Sequence, residues 1–119
     1  MYDYFFFNKI TSFGGVPYNY EILKEIKFEN FLLDGFKYST VAGGSLNLST
    51  LEYFIKIYKN LNKKLFVMYG QTEASPRISY LPWKKIEQKK GSIGIPIQGG
   101  KLYIKDEFSH KLKKIIQVN

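Results

Sequence analysis

The residues with the most chemistry to offer form one run, Tyr69-Gly70-Gln71-Thr72-Glu73-Ala74-Ser75, directly after an apolar stretch. Here an apolar strand ends in a glycine turn that presents a hydroxyl and a carboxylate. Tyr69 offers an aromatic face for stacking, Thr72 a small hydroxyl that donates to phosphate oxygen, and Glu73 a hard oxygen ligand for magnesium. Thr72 and Glu73 alone would equally make a surface turn with the carboxylate solvated. Their combination with Tyr69 in so short a space is what raises a functional reading.

The elements that must position this run follow a strand, glycine turn, helix rhythm. Residues 11–13 are β-prone and stop at Gly14-Gly15, after which Pro17 suits the first position of a helix carrying Tyr20, Leu23, Ile26 and Lys27 at helical spacing. After a loop over residues 29–35, residues 37–42 repeat the strand and Gly43-Gly44 the turn. A second helix is expected over residues 49–60, with Leu51, Phe54, Ile55, Tyr58 and Leu61 on its buried face. Ser49 or Thr50 can cap it, and Glu52 suits its first turn. Residues 65–68 are a continuous apolar run, as in parallel strands covered on both faces.

This alternation predicts an α/β fold: a partial parallel sheet of strand-turn-helix units, then a short β-rich C-terminal portion. In such sheets ligands sit beyond the carboxyl ends of the strands, so the turns at Gly14-Gly15, Gly43-Gly44 and Gly70 could wall one pocket. For Gly14-Gly15 plain turn geometry is an equal explanation. None of these turns fits a Walker lysine loop or a GxGxxG fingerprint. Residues 2–10 read as the last turns of a helix. Beyond Ser75, Pro76 and Pro82 interrupt regularity, residues 83–90 form a basic excursion with helical character, and residues 91–100 hold four glycines and Pro96. Residues 101–105 alternate as a half-buried strand, and a lysine-rich tail follows Phe108. The expected organisation is one partial domain, with residues 1–75 as its α/β portion and residues 76–119 as its loop and β portion.

Composition narrows the function classes. With 119 residues, 45% hydrophobic and 18% aromatic, the chain suits one folded domain rather than a disordered segment. A formal charge of +8 draws phosphate-bearing partners, yet Arg77 is the only arginine among eighteen basic residues, which argues against sequence-specific nucleic-acid reading. Absence of cysteine excludes disulfides and thiolate metal sites. No stretch reaches membrane-spanning length and the aromatic start lacks a signal-peptide pattern, so a cytoplasmic location is expected.

Tyr69 to Ser75 resembles the Tyr-Gly-x-Thr-Glu core motif of the adenylate-forming superfamily, which includes acyl-CoA synthetases, luciferases and peptide-synthetase adenylation domains. Val41-Ala42-Gly43-Gly44-Ser45-Leu46 resembles its Ala-Gly-Gly segment, and Gly91-Ser92-Ile93-Gly94-Ile95-Pro96-Ile97 its Gly-Ser-x-Gly-x-Pro stretch. The motifs stand in family order over residues 11–106. The resemblance implies that Gly43, Gly44 and Ser45 border adenine, Tyr69 stacks on it, and Gly70 and Gln71 shape the turn. It further implies that Thr72 bonds the α-phosphate and Glu73 coordinates magnesium, these two being the catalytic candidates. Val41, Ala42, Met68 and Pro76 are the acyl-pocket candidates, with a core role equally open to Met68.

For the parent enzyme the implied cofactors are ATP or AMP with magnesium and the implied partners a carboxylic acid and CoA or a carrier-protein thiol, while the fragment binding no cofactor stays open. The family's triphosphate-holding loop ending in lysine, its ribose-gripping aspartate and its C-terminal domain with a catalytic lysine have no counterpart in this sequence. The chain is therefore expected to be a fragment of an AMP-forming acid-thiol ligase, inactive alone. Apolar faces, including residues 4–7, predict a homo-oligomer. A non-catalytic nucleotide- or protein-binding remnant and a basic nucleic-acid binder are the alternatives. His110, the only histidine, reads as a surface residue.

Overall fold

The computed structural model describes residues 9–32, 34–108 and 110–117. The helix expected over residues 2–10 lies outside the described residues except for Lys9 and Ile10, which are not helical. From there the chain runs β1 (Ser12–Gly15), α1 (Pro17–Glu25), β2 (Tyr38–Val41), α2 (Leu48–Asn60), β3 (Lys64–Gln71), β4 (Ser75–Leu81), β5 (Ile95–Pro96), β6 (Lys101–Lys105) and β7 (Lys111–Gln117). Short 3-10 turns occupy Phe28–Phe31 and Trp83–Lys85.

The expected α/β sheet is present. Strands β1, β2 and β3 pair in parallel, in register from Ser12 with Tyr38 and from Tyr38 with Lys64. The sheet then reverses direction: β4 pairs antiparallel to β3, and β5 antiparallel to β4, in the order β1-β2-β3-β4-β5. Sequence had placed irregular chain where β4 lies, because Pro76 stands inside it. The ladder slips between Tyr69 and Gln71 opposite this proline, and a proline without an N–H is tolerated at such an irregularity. Strands β6 and β7 form a separate hairpin.

Helices α1 and α2 pack their apolar faces into one aromatic core. Tyr20 and Leu23 of α1 and Leu51, Phe54, Ile55 and Tyr58 of α2 are buried, as the spacing predicts. The Tyr20 and Phe54 rings meet edge to face at 5.1 Å, and Phe54 meets Tyr58 at 5.7 Å. Such edge contacts add to burial because a positive ring edge faces a negative ring face. Leu61 departs from the expected face: it is the C-cap of α2 and 41% exposed. Helix α1 stops at Glu25, short of Lys27, which turns into the left-handed region at φ 52°.

The cap of α2 also differs from expectation. Asn47 holds that position, and its Oδ1 accepts from Ser49 N at 2.9 Å. Both expected hydroxyls serve the helix pair instead. Thr50 Oγ1 donates to Glu21 Oε2 at 2.7 Å, and Lys24 Nζ donates to Ser49 Oγ at 3.2 Å. Glu52 lies beyond the first turn and pairs with Lys90 at 2.6 Å. Asn47→Ala is expected to lower unfolding free energy by about 1 kcal/mol. Ser49→Ala should change it by less than about 0.5 kcal/mol, since its hydrogen bond with Lys24 is solvent-exposed. Urea denaturation of both variants measures the contrast.

Candidate functional site

The carboxyl ends of the three parallel strands converge, but the central turn differs from the sequence expectation. Strand β3 does not end at Gly70; it continues to Gln71, and Thr72, Glu73 and Ala74 form the turn of the β3–β4 hairpin. Ala74 N donates to Gln71 O at 3.2 Å and closes it. Gly70 is required by a close approach: a Cβ there would overlap the Pro76 carbonyl of β4. Gly43 does need a left-handed backbone, at φ 81°. Gly14 and Gly15 lie within β1 rather than after it.

Two clefts flank the hairpin turn. The first, about 570 Å³, is lined by Gly43, Gly44 and Ser45 on one side and by Tyr69, Thr72 and Glu73 on another. The second, about 770 Å³, is lined by Gly14, Gly15, Ala42, Met68, Pro76 and Arg77, among others. Gly43, Met68, Gly70, Gln71 and Thr72 border both clefts. The structure thus gathers every nucleotide candidate at the first cleft and places Ala42, Met68 and Pro76 at the second. Val41 lines neither; it is 0% exposed and packs in the core.

Sequence reasoning gave no site role to the opposite wall of the first cleft, formed by Gly91, Ser92 and Ile93. This segment is tied to β4. The buried Ser79 hydroxyl donates to Ile93 O at 2.7 Å, and Gly94 N donates to Ser92 Oγ at 3.1 Å. Gly94, at φ 80°, lies against the Tyr80 carbonyl where no Cβ fits. The four-glycine stretch was the available signal, but nothing local showed which strand it would lean on. Arg77 and Thr40 at the second cleft were likewise not singled out for the site.

Among the described residues no three acidic or histidine side chains gather as a metal cluster. A metal at the first cleft would rest on Glu73, with its other positions filled by ligand oxygens and water, the usual manner of magnesium. Tyr69 is partly exposed and free to stack. Tyr20 and Tyr58 lie in the core and line neither cleft, and burial pushes the Tyr58 phenol up to about 12 and raises that of Tyr20 as well. His110 is exposed, with Nδ1 3.2 Å from Asp106 Oδ2. A smaller groove of about 240 Å³ between α2 and Trp83 contains no residue of the motifs.

The AMP-binding enzyme family matches residues 3–114. The chain belongs to this family. Among solved structures, the N-terminal domain of FACL13 from Mycobacterium tuberculosis is 19% identical, with a TM-score of 0.76 over 92% of this chain and 27% of that one. VinN is 24% identical, with a TM-score of 0.69 over 88% and 26%. O-succinylbenzoate Coenzyme A Synthetase (MenE) from Bacillus subtilis, solved in complex with AMP, is 21% identical, with a TM-score of 0.69 over 88% and 20%. No curated protein matches the chain. These likenesses show the fold of AMP-binding enzymes, and the chain spans about a quarter of the length of the structures it matches. No described helix is long and apolar enough to cross a membrane.

The close approach at Gly70 yields a direct test. Gly70→Ala forces β4 away from β3 and should cost more than about 2 kcal/mol, since backbone rather than a flexible side chain must yield. Loss of amide protection at Ser79 and Leu81, measured by hydrogen exchange, would locate the damage in the hairpin.

Proposed function

We propose that this chain carries the nucleotide-facing part of an AMP-forming acid-thiol ligase. The whole enzyme would activate a carboxylic acid with ATP as an acyl-adenylate and pass it to CoA or a carrier thiol. The observation that carries this reading is the Thr72-Glu73 turn at the junction of two clefts, in a chain of the AMP-binding family. In this assignment Gly43, Gly44 and Ser45 border the adenine and Tyr69 stacks on it. Thr72 donates to the α-phosphate, and Glu73 holds magnesium. Magnesium, when bound, neutralises phosphate charge; the chain's own residues orient the nucleotide and present its phosphorus toward the second cleft. Ala42, Met68 and Pro76 border the acid there.

By itself the chain binds nucleotide without completing the reaction. Acid activation relies on positioning and on charge stabilisation by cations, and the matching lysine loop and catalytic lysine are not found in this sequence. Calorimetry with AMP and magnesium should show saturable binding, with Thr72→Ala weakening it about tenfold through loss of one charge-assisted hydrogen bond. Absence of binding at millimolar AMP would sink the reading. Carboxylate-dependent pyrophosphate exchange by the purified chain would show instead that the site is complete.

Self-association is a second property we assign to the chain. Tyr18 and Phe108 are 71% and 74% exposed, and Leu48 and Ile104 also face solvent. Exposed apolar surface of this kind favours a homodimer. Sedimentation across a wide concentration range should show a dimer at high concentration, and a monomer throughout would contradict it.

A further inference from the structure

The second cleft is bounded largely by glycine backbone and apolar side chains, Gly14, Gly15, Ala42, Met68 and Pro76, and Arg77 is the cation among its lining residues. Arg77 borders this cleft and not the first, whereas Glu73 borders the first and not the second. The two charges therefore divide between the two chambers. Every other basic residue of the chain except Arg77 is a lysine. No carboxylate of the described residues forms an ion pair with the Arg77 guanidinium.

The backbone that carries Arg77 is well held. Ser75 Oγ donates to Arg77 O at 3.1 Å, and Arg77 N donates to Ser75 Oγ at 3.3 Å. One residue earlier, Pro76 is pressed against Gly70. These contacts root the side chain beside the second cleft, a short distance along β4 from the turn that holds Thr72. A guanidinium is a planar, permanently charged fork that matches a carboxylate through two parallel hydrogen bonds, and because Arg77 is solvent-exposed it is this geometry, more than a dry surround, that would select the ligand.

We propose that the second cleft takes an acid bearing a second carboxylate, with its reacting carboxylate near Thr72 and its distal carboxylate paired with Arg77. This specificity rests on the assignment of that cleft to the acid. A volume of about 770 Å³ accommodates a small dicarboxylic acid beside the nucleotide. Arg77 acts here as a specificity-determining residue and takes no part in bond making.

The test uses two sulfamoyl-adenosine conjugates of equal length, one acyl chain ending in carboxylate and the other in methyl, titrated into the full chain by calorimetry beside AMP and ATP. The carboxylate-ended conjugate is expected to bind about tenfold tighter. Arg77→Gln should erase that difference, and Arg77→Lys should restore part of it, because an ammonium keeps the charge without the fork. Equal or weaker binding of the carboxylate-ended conjugate, while AMP still binds, overturns the inference and leaves the nucleotide reading intact. A loss in Arg77→Gln confined to ATP also overturns it, since the guanidinium would then serve the phosphates. Failure of AMP and both conjugates to bind removes the nucleotide reading and this inference together.

Discussion

The contact between Gly70 and the Pro76 carbonyl is the constraint on which the site depends. Strand β3 leaves the core as a parallel strand and must be met by β4 running the other way. The two can close only where one residue has no side chain. That approach fixes the turn carrying Thr72 and Glu73, places Arg77, and sets the start of the strand on which Ser79 and Tyr80 hold the far wall. Three features thus share one steric condition. Glycine serves here through its missing Cβ, whereas at Gly43 it serves through its backbone angle.

Behind the hairpin, the helices supply rigidity rather than chemistry. Thr50, Ser49, Glu21 and Lys24 form a polar seam between α1 and α2, and beneath it the Tyr20, Phe54 and Tyr58 rings interlock. The Tyr20 hydroxyl donates to Thr40 O at 2.8 Å, linking this core to the strand beside the second cleft. A buried donor placed on a strand carbonyl has a real cost if displaced, so helix packing and cleft geometry are mechanically joined.

Much of this was legible in the sequence. β-Prone or apolar runs bounded by glycine pointed to the three parallel strands, helical spacing to both buried faces, and the ordered motifs to the adenylate-forming family. What stayed hidden had non-local causes. Pro76 argued against a strand because the slip in the ladder that tolerates it depends on β3. Ser49 and Thr50 looked like caps, but their hydroxyls were claimed by Lys24 and Glu21 on another helix. Val41 reads like its neighbour Ala42 in a motif, yet strand alternation turns one into the core and the other toward a cleft. The Gly91 to Ile93 wall was visible as a motif but not as a surface, because its anchor on Ser79 joins distant segments.

Gly43, Met68, Gly70, Gln71 and Thr72 form a partition with a chamber on either side. A shared partition means that the shapes of the two chambers are set by the same residues. Any ligand in one chamber would therefore lie against residues that also border the other. A substitution in that wall would reshape both chambers at once, so neither can be altered there without its neighbour.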